Sequence, residues 1–459
     1  MAGLIHCPLA GGASRQPDAP ALIQGDGTPL SYAELHHTCR EVAATLPDWP
    51  AGTRVALVEP DRGHLIRQIV ACWYRRWTAV PLDHRMTGAA LAQVCGDLNL
   101  RPWPRSKAGA APPRERSPRP EGGDTSSAMR TGLTMRWTAR QPATMTLTSG
   151  STGTPKAVIH TFGNHAASAA GLRRTLELDD ETHWLVSLPL FHIGGLALLW
   201  RVWSAGGALV LPGTHLHEAL LQGVTHASLV PAQVLRLGPA PERPVLRCLM
   251  LGGEAVSEHV WALARHWAHE VVISYGCSEA TSTVALARSA GGPFEVLPGR
   301  EVGIDGGELR LGGDVLAAGY WDGRSVSPLN PGDGGWPTGD GACWVQPPRT
   351  FTLTGRLDRR FISGGENIQP EAIERVLLSC EGVSRVAVVP VPDPVFGQRP
   401  VAYIHPPEAL NPERLAAQLA KQLPRYMCPD VWLAWPDPDT LKPPLKQWQA
   451  LATRLCGKK

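Results

Sequence analysis

The chain has 459 residues, which is more than one typical domain needs, so two or three domains are expected. Hydrophobic residues make up 43% of it and charged residues 19%, as in an ordinary globular enzyme, and a net charge of +3 is too small to predict binding to nucleic acid or to an anionic membrane. No apolar run reaches the roughly 18 residues of a membrane span. The start of the chain lacks signal-peptide features, and the ten Cys show no zinc spacing, so we expect reduced thiols in a cytoplasmic protein.

Residues 20–100 alternate short apolar runs with helix-like stretches. The runs at 54–60 and 77–83 have the composition of buried strands, and LSYAELHHTCREVAATL has helical spacing. Such alternation indicates βα units. Pro, Arg, Gly and Ser then dominate residues 101–140, which predicts a flexible loop.

Strand-like runs resume after this loop and alternate with helical patterns for about 200 residues. These runs are ATMTLTS, HWLVSLPLF, GALVLP, HASLVP, LRCLMLGG and HEVVISYG. Short strands with Gly turns follow from residue 300, and a compact α+β unit follows residue 359. The fold class is therefore α/β, with a large N-terminal domain (1–357) of layered α/β subdomains plus a β-rich subdomain, and a small α+β C-terminal domain (358–459).

The stretch TLTSGSTGTPKAV, residues 146–158, has the composition of a phosphate-binding loop. A strand is predicted before it and a helix, FGNHAASAAGLRRTLEL, after it, and N–H groups in such a loop can turn toward an anion. Lys156 is one of only seven lysines in the chain and supplies a positive charge. The spacing differs from G-x-x-x-x-G-K-[ST], so the loop is either a phosphate cradle of another design or an ordinary surface turn.

Three later stretches carry candidate nucleotide ligands. In YGCSEAT, Tyr275 and Glu279 are expected just beyond a strand end, where a ring can stack on a base and a carboxylate can hold Mg²⁺. WPTGDGACW predicts a tight turn at Asp340, which is suited to a ribose diol, and TGRLDRRFISGGENI adds Arg356 and a glycine pair. Each stretch alone has an ordinary surface interpretation, but their order along the chain is specific.

The succession LTSGSTGTPK, YGCSEAT, TGD and GRLDRRFISGGENIQPEAIE resembles the acyl-adenylate-forming superfamily of acyl-CoA ligases, peptide-synthetase adenylation domains and luciferases. The resemblance extends from about residue 145 to about residue 446. Within the superfamily, SLPLFHIGGLALLWR, THASLVPAQVLRL, SYGCSEATSTV and FISGGENIQPEAIERV are most similar to the o-succinylbenzoate–CoA ligases of menaquinone biosynthesis.

The resemblance implies a ligase that uses ATP, Mg²⁺ and coenzyme A on a small carboxylic acid. The acid would attack the α-phosphorus of ATP to give acyl-AMP and pyrophosphate, and the CoA thiol would then displace AMP. It implies no nucleic-acid partner, and the oligomeric state is left open. The residues implied to hold the nucleotide are Thr148, Ser149, Gly150, Ser151, Thr152, Gly153, Thr154, Lys156, Gly253, Glu254, Ala255, Tyr275, Gly276, Ser278, Asp340 and Arg356, with Glu279 on Mg²⁺.

The resemblance also implies that the C-terminal domain rotates between the two half-reactions. Asp358 matches the hinge position, and Gly364 and Gly365 would let the pantetheine approach. A lysine in DTLKPPLKQWQALATRL would bridge the substrate carboxylate and the α-phosphate. Lys446 is the better match and Lys442 the alternative, although neither follows the glycine that the superfamily has there.

The acyl pocket is implied to include His192, with Gly194 and Gly195 leaving room for an aromatic ring. A second substrate carboxylate needs a cation or several donors. Arg201 and Arg236 are candidates, of which Arg236 is favoured, and Ser282 and Thr283 could add hydroxyl donors.

Three alternatives remain. The chain could be another aryl or medium-chain acyl-CoA ligase, since only the acyl pocket would differ. An amino-acid adenylation domain is disfavoured, because LPLFHIGGLALLW has no acidic residue for an ammonium group. The ending around Lys446 also allows a nucleotide-binding protein that has lost catalysis.

Overall fold

The structure of the chain is a computed structural model that describes residues 3–104, 135–148, 156–329, 334–437 and 443–456. The central part of the predicted loop, 105–134, lies outside these residues. The two ends of that segment belong to the fold, because Arg101–Pro102 and Arg136–Thr138 are strands and Trp137 is buried.

The described residues form the following elements. The strands are β1 Leu4–His6, β2 Pro20–Ile23, β3 Pro29–Ser31, β4 Arg54–Leu57, β5 Thr78–Pro81, β6 Arg101–Pro102, β7 Arg136–Thr138, β8 Pro142–Thr148, β9 Lys156–Thr161, β10 His183–Leu185, β11 Ala208–Val210, β12 His226–Leu229, β13 Leu246–Gly252, β14 Ala268–Cys277, β15 Ser282–Ala287, β16 Phe294–Val296, β17 Glu301–Asp305, β18 Glu308–Gly312, β19 Gly319–Trp321, β20 Val326–Ser327, β21 Trp336–Gln346, β22 Thr350–Arg356, β23 Phe361–Ser363, β24 Glu366–Ile368, β25 Arg385–Asp393, β26 Gly397–His405 and β27 Val431–Ala434. The helices are α1 Pro8–Arg15, α2 Tyr32–Thr45, α3 Arg62–Tyr74, α4 Gly88–Asp97, α5 Phe162–Thr175, α6 Ile193–Leu196, α7 Leu198–Ala205, α8 Leu216–Leu220, α9 Pro231–Leu235, α10 Glu258–Arg265, α11 Pro370–Leu378, α12 Pro412–Ala420 and α13 Leu445–Cys456.

Two large sheets organise the N-terminal part of the chain. In the first, the strand order is β20-β19-β9-β8-β5-β4-β6, with β4, β5, β6 and β8 parallel. In the second, the order is β17-β18-β21-β22-β16-β15-β14-β13-β12-β10-β11-β2-β3. The strands from β11 to β14 of this second sheet are parallel, and the sheet becomes antiparallel where β15 joins β14. Ligands of α/β sheets bind near the carboxyl ends of parallel strands.

A cluster of buried aromatic side chains connects the helices α3, α5 and α7 with strand β7. Trp137 and Phe162 stack at a centroid distance of 4.0 Å, and Trp73 and Trp200 each lie 6.0 Å from Phe162. Aromatic rings bury large apolar areas, each Phe or Trp stabilising the folded state by about 2 kcal/mol or more. This cluster lies in a hydrophobic core that also contains residues of both large sheets, such as Ala79 of β5 and Leu209 of β11.

Helix α5 begins at a reciprocal cap. Thr161 Oγ1 accepts from the Asn164 amide across 3.1 Å, while Asn164 Oδ1 accepts from the Thr161 amide across 2.8 Å. The Asn164 side-chain nitrogen also donates to the carbonyl oxygens of Asp314 and Leu316. The cap supplies partners for amides that the first turn of a helix leaves unpaired, and it ties α5 to the segment before β19.

The residues after 360 have a hydrophobic core of their own. Helices α11 and α12 pack against one face of the sheet β25-β26-β27, with Ile373, Leu377 and Leu415 fully buried. Helix α13 packs against the same strands through Trp448, next to Tyr403 and Trp435. A sheet covered on both faces can form a separate small domain. The α/β fold with a large N-terminal and a small C-terminal domain is thus confirmed, while the boundary at 357/358 stays a prediction.

Within the described ranges, no helix is long and apolar enough to cross a membrane.

Candidate active site

The candidate site lies at the carboxyl end of β13, where β14 extends beyond β13 and is paired with β15. Gly252 at the end of β13 pairs with Ser274 of β14, so the backbone of Gly253, Glu254 and Ala255 emerges beside Tyr275. Tyr275 was expected beyond the strand end, but β14 continues to Cys277 because it now pairs with β15. The Tyr275 ring is buried and packs edge-on against Phe294 and Phe351, with ring centroids 5.9 Å apart in each pair.

Tyr275, Asp340 and Arg356 form one hydrogen-bonded group. The Tyr275 hydroxyl donates to Asp340 Oδ2 across 2.6 Å, and Arg356 Nη1 donates to Asp340 Oδ1 across 3.2 Å. The predicted turn at Asp340 is wrong, because Asp340 lies within β21, directly opposite Arg356 of β22. Strand pairing thus brings the acid and the arginine together, since facing side chains of antiparallel strands lie within about 5.5 Å.

The second partner of Arg356 is Asp358. Arg356 Nε and Nη2 donate to the two carboxylate oxygens of Asp358, each across 3.1 Å. The guanidinium holds the pKa of Asp358 below its usual range, and the two carboxylates, Asp358 first, raise the pKa of Arg356. Arg356 is thus fixed between the expected ribose acid and the expected hinge residue. Charge-assisted pairs of this kind are the stronger hydrogen bonds in proteins.

The segment around Asp358 is also held by helix α11. Glu371 accepts from the Arg356 amide across 3.3 Å and from Arg359 Nη1 across 2.7 Å. Arg359 Nη2 also donates to Glu374 Oε1 across 2.7 Å, and Glu374 accepts from the Val388 amide. The carboxylates of α11 and the arginines around Asp358 therefore connect the end of β22 to the C-terminal domain.

Glu279 and Lys156 meet at a third residue, Tyr320. The Tyr320 hydroxyl donates to Glu279 Oε1 across 2.8 Å, and Lys156 Nζ lies 5.5 Å from the centroid of the Tyr320 ring. Burial and the neighbouring Glu279 raise the pKa of Tyr320, which keeps the phenol protonated and able to donate. Tyr320 was not predicted from the sequence, because its contact with Lys156 arises from the pairing of β19 with β9.

The strand and the helix predicted around the phosphate loop are present as β8 and α5, but the expectation that the loop leads directly into the helix is wrong. Lys156 begins β9, which pairs antiparallel with β8, and Thr148 faces Lys156 directly. The segment therefore connects two strands of a hairpin, and α5 begins only after Thr161. Because β9 stands between this segment and α5, a helix N-terminus does not contribute to anion binding here, and Lys156 supplies the positive charge. Ser149, Gly150, Ser151, Thr152, Gly153 and Thr154 lie outside the described residues, as does Lys442.

The backbone around Glu279 is strained and tightly packed. Thr281 and Ser282 have φ of 50° and 87°, in the left-handed region that residues with a Cβ rarely adopt. A Cβ on Gly276 would lie 1.8 Å from the Ser282 carbonyl oxygen, so only glycine fits at Gly276. Non-glycine residues in this region cost about 1–3 kcal/mol and cluster at functional sites.

Arg300 and Ser168 hold this strained segment in place. Arg300 is 9% exposed and donates to the Thr283 carbonyl from Nε and Nη2, across 3.2 and 3.0 Å. Its remaining donors reach carbonyls of Ala167, Ser168 and Pro298, and Ser168 Oγ donates to the Thr281 carbonyl across 2.6 Å. Hydrogen bonds from α5 and from Arg300 thus compensate part of the strain.

Two buried histidines support the same segment from the hairpin side. His160 Nε2 donates to the Ser278 carbonyl across 2.8 Å, so its Nδ1 is left to accept from Thr144 Oγ1 at 3.4 Å. Thr144 Oγ1 in turn accepts from His165 Nε2 across 2.8 Å. Burial lowers the pKa of His160 to about 4, and burial, with a smaller effect of His160, lowers the pKa of His165 well below its usual range, so both rings are neutral near pH 7.

The candidates for the acyl pocket differ in burial. Arg201, on α7, is 2% exposed and lies over the ring of Trp184 at 5.0 Å. Burial, with a smaller effect of Arg300, lowers the pKa of Arg201 to about 9. Arg236 follows α9 and is exposed, and His192 is exposed beside Phe191, with ring centroids 4.6 Å apart. Gly194 and Gly195 lie in α6, Ser282 is buried at the start of β15, and Thr283 Oγ1 accepts from Ser274 Oγ.

The remaining predicted residues lie in the C-terminal domain. Gly364 and Gly365 form the two-residue turn between β23 and β24 with φ of 58° and 88°, as a tight hairpin requires. Lys446 is exposed in the first turn of α13.

The residues around Glu279 fit a magnesium site in which the substrate supplies some of the metal ligands. Among the described residues, no group of three or more His, Cys, Asp or Glu could hold a metal ion alone. Mg²⁺ in nucleotide enzymes usually takes one or two protein carboxylates and completes its shell with phosphates and water. Glu279 can be that carboxylate, with Lys156 nearby, since the phosphates of the nucleotide would supply the other oxygen ligands of the metal.

The family models agree with this geometry. The AMP-binding enzyme model matches residues 9–102 and 105–321, and the AMP-binding enzyme C-terminal domain model matches residues 372–439. The chain therefore belongs to the AMP-binding enzyme family, and the superfamily predicted from its motifs is confirmed.

Within this family, the chain is similar to 2-succinylbenzoate–CoA ligases. It is 30% identical to the Bacillus licheniformis ligase over 91% of this chain and 93% of that protein. It is 40% identical to the Escherichia coli ligase over 65% of this chain, a match that covers 66% of that protein, just under two thirds. A solved structure of an arginine-to-lysine variant of E. coli MenE with bound OSB-AMS is 28% identical, covers 98% of each chain and superposes with a TM-score of 0.79.

Proposed function

We propose that the chain is an ATP-dependent acyl-CoA ligase that converts 2-succinylbenzoate into its CoA thioester in menaquinone biosynthesis, in the cytoplasm. The main support is the hydrogen-bonded group of Tyr275, Asp340 and Arg356 beside the ends of β13 and β14. The chain also aligns along nearly its whole length with a 2-succinylbenzoate–CoA ligase. The group of three residues supplies an aromatic ring and a cation that are both hydrogen-bonded to one acid, and these are the groups that adenine and ribose need.

In the first half-reaction, a substrate carboxylate oxygen forms a bond to the α-phosphorus of ATP and the bond to pyrophosphate breaks. The carboxylate is already a nucleophile, so the protein contributes position and charge neutralisation and no base. Lys156 holds the departing pyrophosphate, and Lys446 reduces the repulsion between the carboxylate and the α-phosphate. Mg²⁺, bound through Glu279, would neutralise charge on the phosphates.

In the second half-reaction, the CoA sulfur, having lost its proton to solvent, forms a bond to the acyl carbon, and AMP leaves with the electrons of the broken acyl–phosphate bond. Asp358 is the hinge about which the C-terminal domain turns, and Gly364–Gly365 then lies beside the pantetheine. Asp358 makes both of its ion-pair contacts with Arg356, so rotation there changes the partner of an arginine that already holds Asp340.

We assign the second substrate carboxylate to Arg201. The sequence favours Arg236, but that side chain is exposed, whereas Arg201 is almost completely buried against Trp184. A buried cation is costly unless an anion or acceptors satisfy it. A carboxylate bound there would compensate the burial that lowers the pKa of Arg201.

The experiment is a coupled assay of pyrophosphate release and thioester formation with ATP, CoA and a panel of acids. We expect turnover of 2-succinylbenzoate and at least about 100-fold less of benzoate, since loss of a paired charge costs roughly 3 kcal/mol or more. Turnover of benzoates or medium-chain acids without 2-succinylbenzoate would assign the chain to another acyl-CoA ligase. ATP binding without acyl-AMP from any acid would identify a protein that has lost catalysis.

A further inference from the structure

Tyr320 contacts both of the groups that are expected at the phosphates. Its hydroxyl donates to Glu279 Oε1 across 2.8 Å, and its ring lies 5.5 Å from Lys156 Nζ. Glu279 follows β14 of one sheet, whereas Lys156 begins β9 of the other. Tyr320 therefore spans the contact between two sheets at the place where the metal carboxylate and the leaving-group lysine meet.

The backbone around Tyr320 is fixed by several independent contacts. Tyr320 pairs with Val158 of β9, and the Ala317 amide donates to the Glu279 carbonyl across 2.7 Å. Trp321, the next residue, is buried and donates from Nε1 to the Leu98 carbonyl across 2.7 Å. A phenol on such a backbone has little freedom, so it can orient a flexible carboxylate.

Glu279 needs such support because its segment is strained. Thr281 and Ser282 hold left-handed φ values two and three residues later. A glutamate side chain can adopt many rotamers, and ordering it costs free energy at the moment a ligand binds. A hydrogen bond present before binding lowers that cost, as it does for carboxylates that ligate metals elsewhere.

We propose that Tyr320 is a positioning residue that aims the Glu279 carboxylate at the metal of the nucleotide and places its ring under Lys156, an inference that rests on the proposed function. The hydroxyl uses one lone pair of one carboxylate oxygen, so Glu279 retains acceptor capacity for a cation. The ring face attracts the ammonium group of Lys156. The hydroxyl thus acts through Glu279 and the ring through Lys156.

Two substitutions separate these effects. Tyr320→Phe removes the hydroxyl and keeps the ring, and Tyr320→Leu removes both. With Mn²⁺ as the probe, we expect electron paramagnetic resonance titrations of the ATP-loaded protein to show about 10-fold weaker Mn²⁺ binding in both variants. We expect only Tyr320→Leu to raise the KM for pyrophosphate in ATP–pyrophosphate exchange, by about 3-fold.

Tyr32→Phe is the matched control. The Tyr32 hydroxyl also makes one hydrogen bond, to the Gly207 carbonyl across 2.7 Å, in a fully buried part of the N-terminal domain. It should lower the melting temperature at least as much as Tyr320→Phe and leave the Mn²⁺ affinity unchanged.

A double-mutant cycle tests whether Tyr320 acts through Glu279. In a Glu279→Gln background, Tyr320→Phe should cause less than a 2-fold further change in Mn²⁺ affinity. The inference is overturned if Tyr320→Phe binds Mn²⁺ like the wild type, or if it loses as much affinity in the Glu279→Gln background as in the wild-type background. If the wild-type protein binds no Mn²⁺ with ATP and forms no acyl-AMP, the proposed function fails and this inference fails with it.

Discussion

Asp340 accepts a 2.6 Å hydrogen bond from the Tyr275 hydroxyl, and this contact joins an aromatic face to an acid from a different part of the second sheet. The remaining lone pairs of the carboxylate can accept from a diol, because an ionised carboxylate has about four acceptor positions. Tyr275 thus positions Asp340 in addition to offering a ring. The base and the sugar of one nucleotide would then be held by groups that contact each other.

Replacing Asp340 by Asn should weaken nucleotide binding without unfolding the protein. The amide keeps the shape but loses the charge that pairs with Arg356, and hydrogen bonds to charged groups contribute about 1.5–3 kcal/mol each. We expect the Kd for ATP, measured by calorimetry, to rise by about 10- to 100-fold. The matched control is Asp430→Asn, which loses an exposed ion pair with Arg399 in the C-terminal domain. Equal losses in the two variants would contradict the role given to Asp340.

Arg201→Met should abolish selection for the second carboxylate. Methionine fills much of the same buried volume, and replacing a buried charge by an apolar group is often neutral or stabilising. We therefore expect an unchanged or higher melting temperature, an unchanged KM for ATP, and a KM for 2-succinylbenzoate raised by about 100-fold.

Arg236→Met is the test of the alternative. If it raises that KM more than Arg201→Met does, the sequence-based preference for Arg236 is right and the burial argument is wrong. Arg247→Met, which removes an exposed pair with Glu181, reports the effect of losing a surface arginine.

Lys446→Ala should separate the two half-reactions. The lysine is expected to act only while the carboxylate approaches the α-phosphate, so acyl-AMP formation should fall by about 100- to 1,000-fold. Thioester formation from acyl-AMP supplied in solution should change by less than about 3-fold. Lys421→Ala, at another exposed lysine of the C-terminal domain, should leave both steps unchanged. Full adenylation by Lys446→Ala would instead point to Lys442.

Most elements of this fold were predicted from the sequence, because buried strands and helix faces require apolar residues at regular positions. The run that became β13, LRCLMLG, and the middle of β14, VVI, are almost continuously apolar, as strands covered on both faces are, and α11 has helical spacing. Asp340 and Arg356 were predicted as nucleotide ligands because each lies in a short motif of its own. Their direct pairing was not foreseen, because strand register depends on chain segments that lie far apart.

The missed strand β9 and the missed residue Tyr320 also depend on strand pairing between distant parts of the chain. KAVIHT, β9, is buried at five of six positions and shows no alternation, so it was not distinguished from the approach to a helix. Tyr320 reaches Glu279 only through the pairing of β19 with β9. The burial of Arg201 was foreseeable, since apolar residues that become buried flank it in LLWRVW on α7.

His36 should make stability depend on pH. Its Nδ1 lies 2.7 Å from the Tyr74 hydroxyl, and burial, with smaller effects of Arg40 and His37, lowers its pKa to about 4. The unfolded chain has a His pKa near 6.5 and binds the proton first, so this contribution is complete above about pH 6.5 and is lost as pH falls toward 4. We expect about 2–3 kcal/mol less unfolding free energy at pH 4 than at pH 7 from this residue. Urea unfolding of His36→Gln should show a flatter pH dependence, whereas His37→Gln, an exposed neighbour, should follow the wild type.

Gly276→Ala should be among the most damaging single-methyl additions in the N-terminal domain. The new Cβ would lie 1.8 Å from the Ser282 carbonyl oxygen, which belongs to backbone and cannot rotate away. The segment must shift, and because it carries Glu279 and adjoins Tyr275, we expect a loss of about 3 kcal/mol in unfolding free energy together with loss of ATP binding. Gly96→Ala, in α4 with no atom within 4 Å of the added Cβ, should instead stabilise the protein by up to about 1 kcal/mol. A Gly276→Ala variant as stable as Gly96→Ala would show that the 276–282 segment relaxes easily, and the strain assigned to Thr281 and Ser282 would then not hold Glu279 in place.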